Sequence, residues 1–145
     1  MDKHKDFIAF QIVGIKTEEF AIIEELFDKK NEQIQLGLDF SFAVDAEKRA
    51  VACSAEVKFL QDVKPFIKLK ITNTYIVDEN SWKRLEKDKK VILPKNFATH
   101  LLVLTIGTLR GVLHSKTEGT EFNRFVLPTL NVSDVINEDV KIEEK

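Results

Sequence analysis

The chain has one cysteine, Cys53, and so no internal disulfide, a composition that fits a reducing compartment. It has three histidines. His100 and His114 fall on one helical face, but fourteen residues of helix separate them by about 21 Å, too far to share a metal within one protomer. No phosphate-binding loop, GxSxG elbow or HExxH pair is present. Neither sign of charge dominates: 22 basic against 24 acidic residues give a net charge of -2, which is not the footprint of a nucleic-acid binder. The longest apolar run, near Leu101, stops at about 13 residues, short of the roughly 20 that span a bilayer. The N-terminal "MDKHKDF" is basic, yet no small-residue cleavage site follows it. The expectation is one cytoplasmic domain with no catalytic centre, no metal, no cofactor, no nucleic-acid partner and no membrane insertion. Cys53 reads as a packed core residue.

What is present is a strand pattern. Ile34, Leu36, Leu38, Phe40, Phe42 and Val44 alternate strictly with Gln35, Gly37, Asp39, Ser41 and Ala43. That is the period of a half-buried antiparallel strand. After a turn at "DAEKR", Val51, Cys53, Ala55, Val57 and Phe59 resume the alternation. After "QDVKP", Ile67, Leu69 and Ile71 continue it, with Lys68 and Lys70 facing the other way. "FIAFQIVGIK" makes a further strand. Residues 17–31 read either as a helix, from the spacing of Phe20, Ile23 and Phe27, or as a long apolar-studded connection. Past Asp78, Ser81 is placed to cap a short charged turn through "WKRLEKDKK". Ser133 and Asp134 are placed to cap a short last helix over 133–138, and 139–145 reads as a frayed tail.

Between these lies a long helix over 96–117, stopped near Gly119. Phe97, Ala98, Leu101, Leu102, Leu104, Ile106, Leu109, Val112 and Leu113 fill an arc of roughly 200°, about twice what packing on a single sheet requires. The expectation is that one face of the helix covers the sheet and the rest meets another subunit, through Leu101, Leu104, Gly107, Thr108, Gly111 and Val112. Whether the two glycines face the sheet or the partner is open at this level.

There are eleven phenylalanines against one tryptophan, Trp82, and one tyrosine, Tyr75. Phe20, Phe27, Trp82, Phe122 and Phe125 lie in connections, where large apolar side chains either pin loops to the core or line a groove for extended peptide.

Several stretches in this order resemble the SecB export-chaperone family. "FQIVGIKTEEF…LFDKKNEQIQLGLDF" is similar to the family's first strand, crossover and second strand. "PFIKLKITNTYIV" is similar to its fourth strand. "LPKNFATHLLVLTIGTLRGVLHS…GTEFNRFVLPTLNVSDVI" is similar to its long interface helix, apolar loop and last helix. The resemblance covers about Phe7 to Ile136. It implies an α+β fold, a four-stranded antiparallel sheet with a long helix and a short C-terminal helix on one face, in a single domain over 1–145. The sheet would span 7–77, with 17–31 as an irregular crossover. It further implies a homotetramer built as a dimer of dimers, and an ATP-independent holdase for unfolded or precursor polypeptides. The client groove it implies falls on Phe20, Ile23, Leu26, Phe27, Phe122, Phe125 and Leu127, with Tyr75 and Trp82 as additional aromatics. Family members that use SecA present an acidic sheet face. Here Lys68 and Lys70 occupy that face and Lys141 and Lys145 dilute the acidic tail, which disfavours SecA. Two other roles remain on the sequence: a SecB-like chaperone dedicated to an antitoxin, and an oligomeric adaptor whose aromatics only close its core.

Overall fold

A computed structural model describes residues 7–144 of the chain. Four long antiparallel strands make the main sheet: β1 (Phe10–Ile22), β2 (Gln35–Asp45), β3 (Ala50–Gln61) and β4 (Lys64–Val77), in the order β1-β4-β3-β2. The alternation expected of β2, β3 and β4 sets their faces: Val51, Cys53, Ala55, Val57 and Phe59 of β3 are buried, while Lys58, Lys68 and Lys70 lie on the opposite side. Two-residue turns with positive φ at both positions join neighbouring strands, Asp62–Val63 (51° and 62°) and Asp88–Lys89 (51° and 61°). This backbone twist matches the right-handed twist of a hairpin.

The first strand is longer than expected. Thr17–Ile22, assigned to the crossover on the sequence, pairs with β4, with Phe20 opposite Leu69 and Ile22 opposite Ile67. The helical spacing of Phe20, Ile23 and Phe27 arises from a strand followed by the single 3-10 turn Glu24–Leu26. The connection proper is therefore Ile23–Ile34.

Beyond β4 come α1 (Glu79–Leu85), β5 (Glu86–Lys87), β6 (Lys90–Leu93) and α2 (Lys95–Thr117). Asp78, rather than Ser81, caps α1 by accepting from the Asn80 N–H. Ser81 is buried inside the helix and accepts from the Ala9 N–H. Helix α2 lies across β3 and β4 and buries Phe97, Ala98, Leu101, Leu102, Thr105, Ile106, Leu109, Leu113 and Thr117. Its 23 residues are long and apolar enough to cross a bilayer by length and composition. This buried face spends that apolarity on the sheet, at about 1.5–3 kcal/mol for each fully buried large side chain. Gly119, at φ +82°, ends the helix.

The C-terminal segment departs most from expectation. In place of a helix over 133–138 there is one 3-10 turn, Val132–Asp134, capped by Asn131. The tail is not frayed: β7 (Val140–Glu143) pairs antiparallel with β6. Val140 and Ile142 alternate with Lys141 and Glu143, and the apolar pair packs on the core. Asp139 accepts from the Lys95 N–H at 2.8 Å and so caps α2, whose own preceding residue, Pro94, offers no side-chain cap. Next to β7, the hydrogen bond that the protonated Glu144 carboxyl makes to the Glu86 side chain pushes Glu144 up.

Candidate functional site: an aromatic junction and an open flank

Two connections meet at one end of α2. The first is the crossover, whose backbone is tied to β4 at its start by Ile23 N–H to Phe66 O at 2.8 Å. Its far side wraps the Gln61 amide, which accepts from the Asp28 N–H and donates to the carbonyls of Asp28 and Asn31, all at 2.9 Å. The second follows Gly119. Thr120 caps the 3-10 turn Glu121–Arg124. Arg110 then draws the next residues back along α2 by donating to Leu127 O (2.8 Å) and Pro128 O (2.9 Å). The one charged residue in the apolar heart of α2 is thus a loop clamp.

These anchors bring Phe27 onto Phe66, Phe122 and Phe125, with ring centroids 4.8, 5.2 and 5.7 Å apart. Phe125 also meets Phe66 at 5.1 Å and Phe59 at 5.6 Å. The Arg124 guanidinium sits over Phe125 and Phe27, and Lys29 pairs with Glu121 across the junction at 3.4 Å.

The expected groove residues divide. Phe27 and Phe125 come together, half-exposed, with Ile23 and Leu26 half-buried on the same connection. Phe122 and Leu127 are not groove walls: they are 3% and 1% exposed and belong to the base of the junction. Phe20 stands apart from the rings, with the Lys116 ammonium 6.0 Å above it. Tyr75 and Trp82 are both buried away from the junction. Tyr75 belongs to a polar cluster between sheet and helix, where its hydroxyl meets Thr105 (2.9 Å) and Asn73 (3.1 Å), and Asn73 donates to Thr108 (2.9 Å). Beside this cluster, burial pushes the Cys53 thiol up to about 11. Sequence reading did not assign Phe66, Gln61 or Arg110 to the junction. Phe66 had a faint signal as an aromatic breaking the β4 alternation; the other two had none.

Because α2 covers β3 and β4, both sheet edges keep bare apolar inner surface. On β1, Ile12 and Ile15, opposite Tyr75 and Asn73, are 47% and 59% exposed. On β2, Leu38, Phe40, Phe42 and Val44 are only half-buried, and the outer edge of this regular strand has no neighbour among the described residues. The outward stripe of α2 carries His100, Val103, Leu104, Gly107, Gly111 and His114. A methyl group added at Gly107 or Gly111 meets nothing within 4 Å, so both glycines face away from the sheet. Of the expected interface residues, Leu104, Gly107 and Gly111 are exposed and Thr108 and Val112 are half-buried. Leu101 is fully buried under its own helix and is not available to a partner. A separate cleft of about 710 Å³, between Ile8 and Phe10 on one side and Phe97 and His100 on the other, takes in none of the expected groove residues.

No protein-family model and no curated protein matches the chain. Among solved structures it is similar to the SecB-like chaperone Rv1957 of Mycobacterium tuberculosis, in complex with a ChAD peptide from the Rv1956 HigA1 antitoxin. The TM-score is 0.53 at 13% identity, over 84% of this chain and 90% of that one. A protein of unknown function from Streptococcus agalactiae matches at TM-score 0.40 and 12% identity, over 86% of this chain and 99% of that one. The fold of this chain is SecB-like.

Proposed function

We propose that this protein is an ATP-independent chaperone of the SecB-like kind, holding unfolded polypeptide at the junction of the crossover and the post-helix loop and along the inner edge of β2. What carries the reading is the convergence of two irregular connections, whose rings Phe27 and Phe125 meet with Phe125 half-exposed, beside a strand with a free backbone edge and a half-exposed apolar face. An extended segment laid along β2 can bond its backbone to the edge and place alternate side chains on Leu38, Phe40 and Phe42. Several such contacts, repeated across an assembly, hold a client without nucleotide. The assembly would form through the outward stripe of α2 and the bare face of β1. The free, buried thiol of Cys53 fits a cytoplasmic setting.

Dedication to an antitoxin is the second reading, supported by the peptide seen on the Mycobacterium tuberculosis neighbour. Export through SecA is less well supported. The outer sheet face is mixed rather than acidic, with Lys70 between Glu19 and Glu56, and with Lys68 directly opposite Lys58. At equimolar amounts the protein should suppress aggregation of a chemically unfolded client without ATP. Phe125→Ala should weaken binding roughly tenfold, the loss of about 1.5 kcal/mol of partly buried ring contact. No suppression at any stoichiometry removes the chaperone reading. Mass spectrometry of co-purifying polypeptides separates one small partner from a spread of precursors.

A further inference from the structure

Gln61 is a buried, uncharged side chain, 3% exposed, and its amide makes three hydrogen bonds to the crossover backbone. It holds both the N–H and the carbonyl of Asp28, so the peptide unit leaving Phe27 is fixed on β3. The turn closes around it: Asn31 N–H donates to Asp28 O, and the Asn31 amide reaches Asp62 at 3.4 Å. Other polar ties across the crossover are the Ile23 bond at its start, the exposed Asn31–Asp62 and Lys29–Glu121 pairs, and the Arg124 guanidinium over Phe27; exposed pairs contribute little. The ring so held occupies its own site. With Phe27 packed against Phe66, Phe122 and Phe125, its ring covers the buried faces of Phe66 and Phe122 that a client side chain would otherwise meet.

We infer that Gln61 is the positioning residue of the peptide site, a latch that keeps the crossover shut with Phe27 seated where a client aromatic would sit. The inference rests on the chaperone reading for its consequence, but the latch itself can be tested apart from it. When the competent state is a minor population, apparent affinity falls by that fraction. Releasing the latch therefore tightens binding rather than weakening it.

The test uses Gln61→Met, which keeps length and volume, with Gln61→Glu as a second variant should the first lose its circular dichroism. Binding of fluorescently labelled, reduced and carboxymethylated α-lactalbumin should tighten roughly tenfold in Gln61→Met, the effect of about 1.4 kcal/mol. Phe27→Ala, which vacates the seat, should bind as tightly. Adding Gln61→Met to Phe27→Ala should then change nothing more, an outcome a merely structural role for Gln61 does not give. Independently of any client, chymotrypsin should cut after Phe27 about tenfold faster in Gln61→Met than in the unaltered chain. Unchanged cleavage, or binding that stays equal or weakens, overturns the latch. Faster cleavage with no binding by any form of the protein leaves the latch standing and removes the chaperone reading instead.

Discussion

Replacing Gly107 and Gly111 together by alanine should stabilise the isolated chain and weaken its assembly. Glycine inside a helix costs about 1 kcal/mol relative to alanine. At both positions an added methyl group meets open space within the protomer, so no clash offsets that gain. The expected stabilisation is about 2 kcal/mol. For 145 residues, at about 2.1 cal/mol/K per residue, it corresponds to a rise of about 6–7 °C in Tm. If the stripe bearing Leu104, Gly107 and Gly111 is where a second helix approaches closely, the same methyls overpack that contact by about 1–3 kcal/mol. Dissociation constants then rise by roughly fivefold to 150-fold. Thermal denaturation at a dilution where the chain is dissociated reads the first effect, and light scattering after size exclusion across a concentration series reads the second. Assembly unchanged in the double variant, or a monomeric unaltered chain at micromolar concentration, refutes the close-approach reasoning. No gain in Tm refutes the placement of the glycines.

Val63, 83% exposed at the tip of the β3–β4 turn, is a β-branched residue held at φ 62°. Val63→Gly should raise urea-denaturation stability by about 0.5–1 kcal/mol, the relief of left-handed strain less the added freedom of the unfolded chain, with the m-value unchanged; a loss contradicts it. With the Cys53 thiol raised from 9.0 to about 11, iodoacetamide at pH 8.5 should label it only on unfolding, and the folded chain should lose stability as the pH climbs between those two values. Prompt labelling of the native protein contradicts the burial.

Much of the sheet was legible because β2, β3 and β4 carry uninterrupted alternation, and one face of each had to be dry. The extension of β1 was not. Thr17–Ile22 carries acidic residues outward on an edge strand, and the apolar residues beyond it happen to fall at helical spacing. β7 was missed for a related reason: two apolar residues among five charged ones look like a tail until β6, itself embedded in a run of lysines, supplies the other half of the ladder. Of the junction, Phe27 and Phe125 were readable as bulky residues in connections. Phe122 and Leu127 were assigned to the groove because burial within a loop leaves no mark in sequence. Gln61 and Arg110 were invisible because each acts on backbone carbonyls that only the folded chain brings within reach.

The cap that Asp139 places on α2 has a consequence for synthesis. The four strands of the main sheet are complete by Val77, but the start of the long helix and the free side of β6 stay unsatisfied until Asp139 and Val140–Glu143 have been synthesised. The helix start therefore waits on a side chain 44 positions further along the chain than the N–H it caps. A change at Asp139 acts at the beginning of α2, at the opposite end of the helix from the aromatic junction.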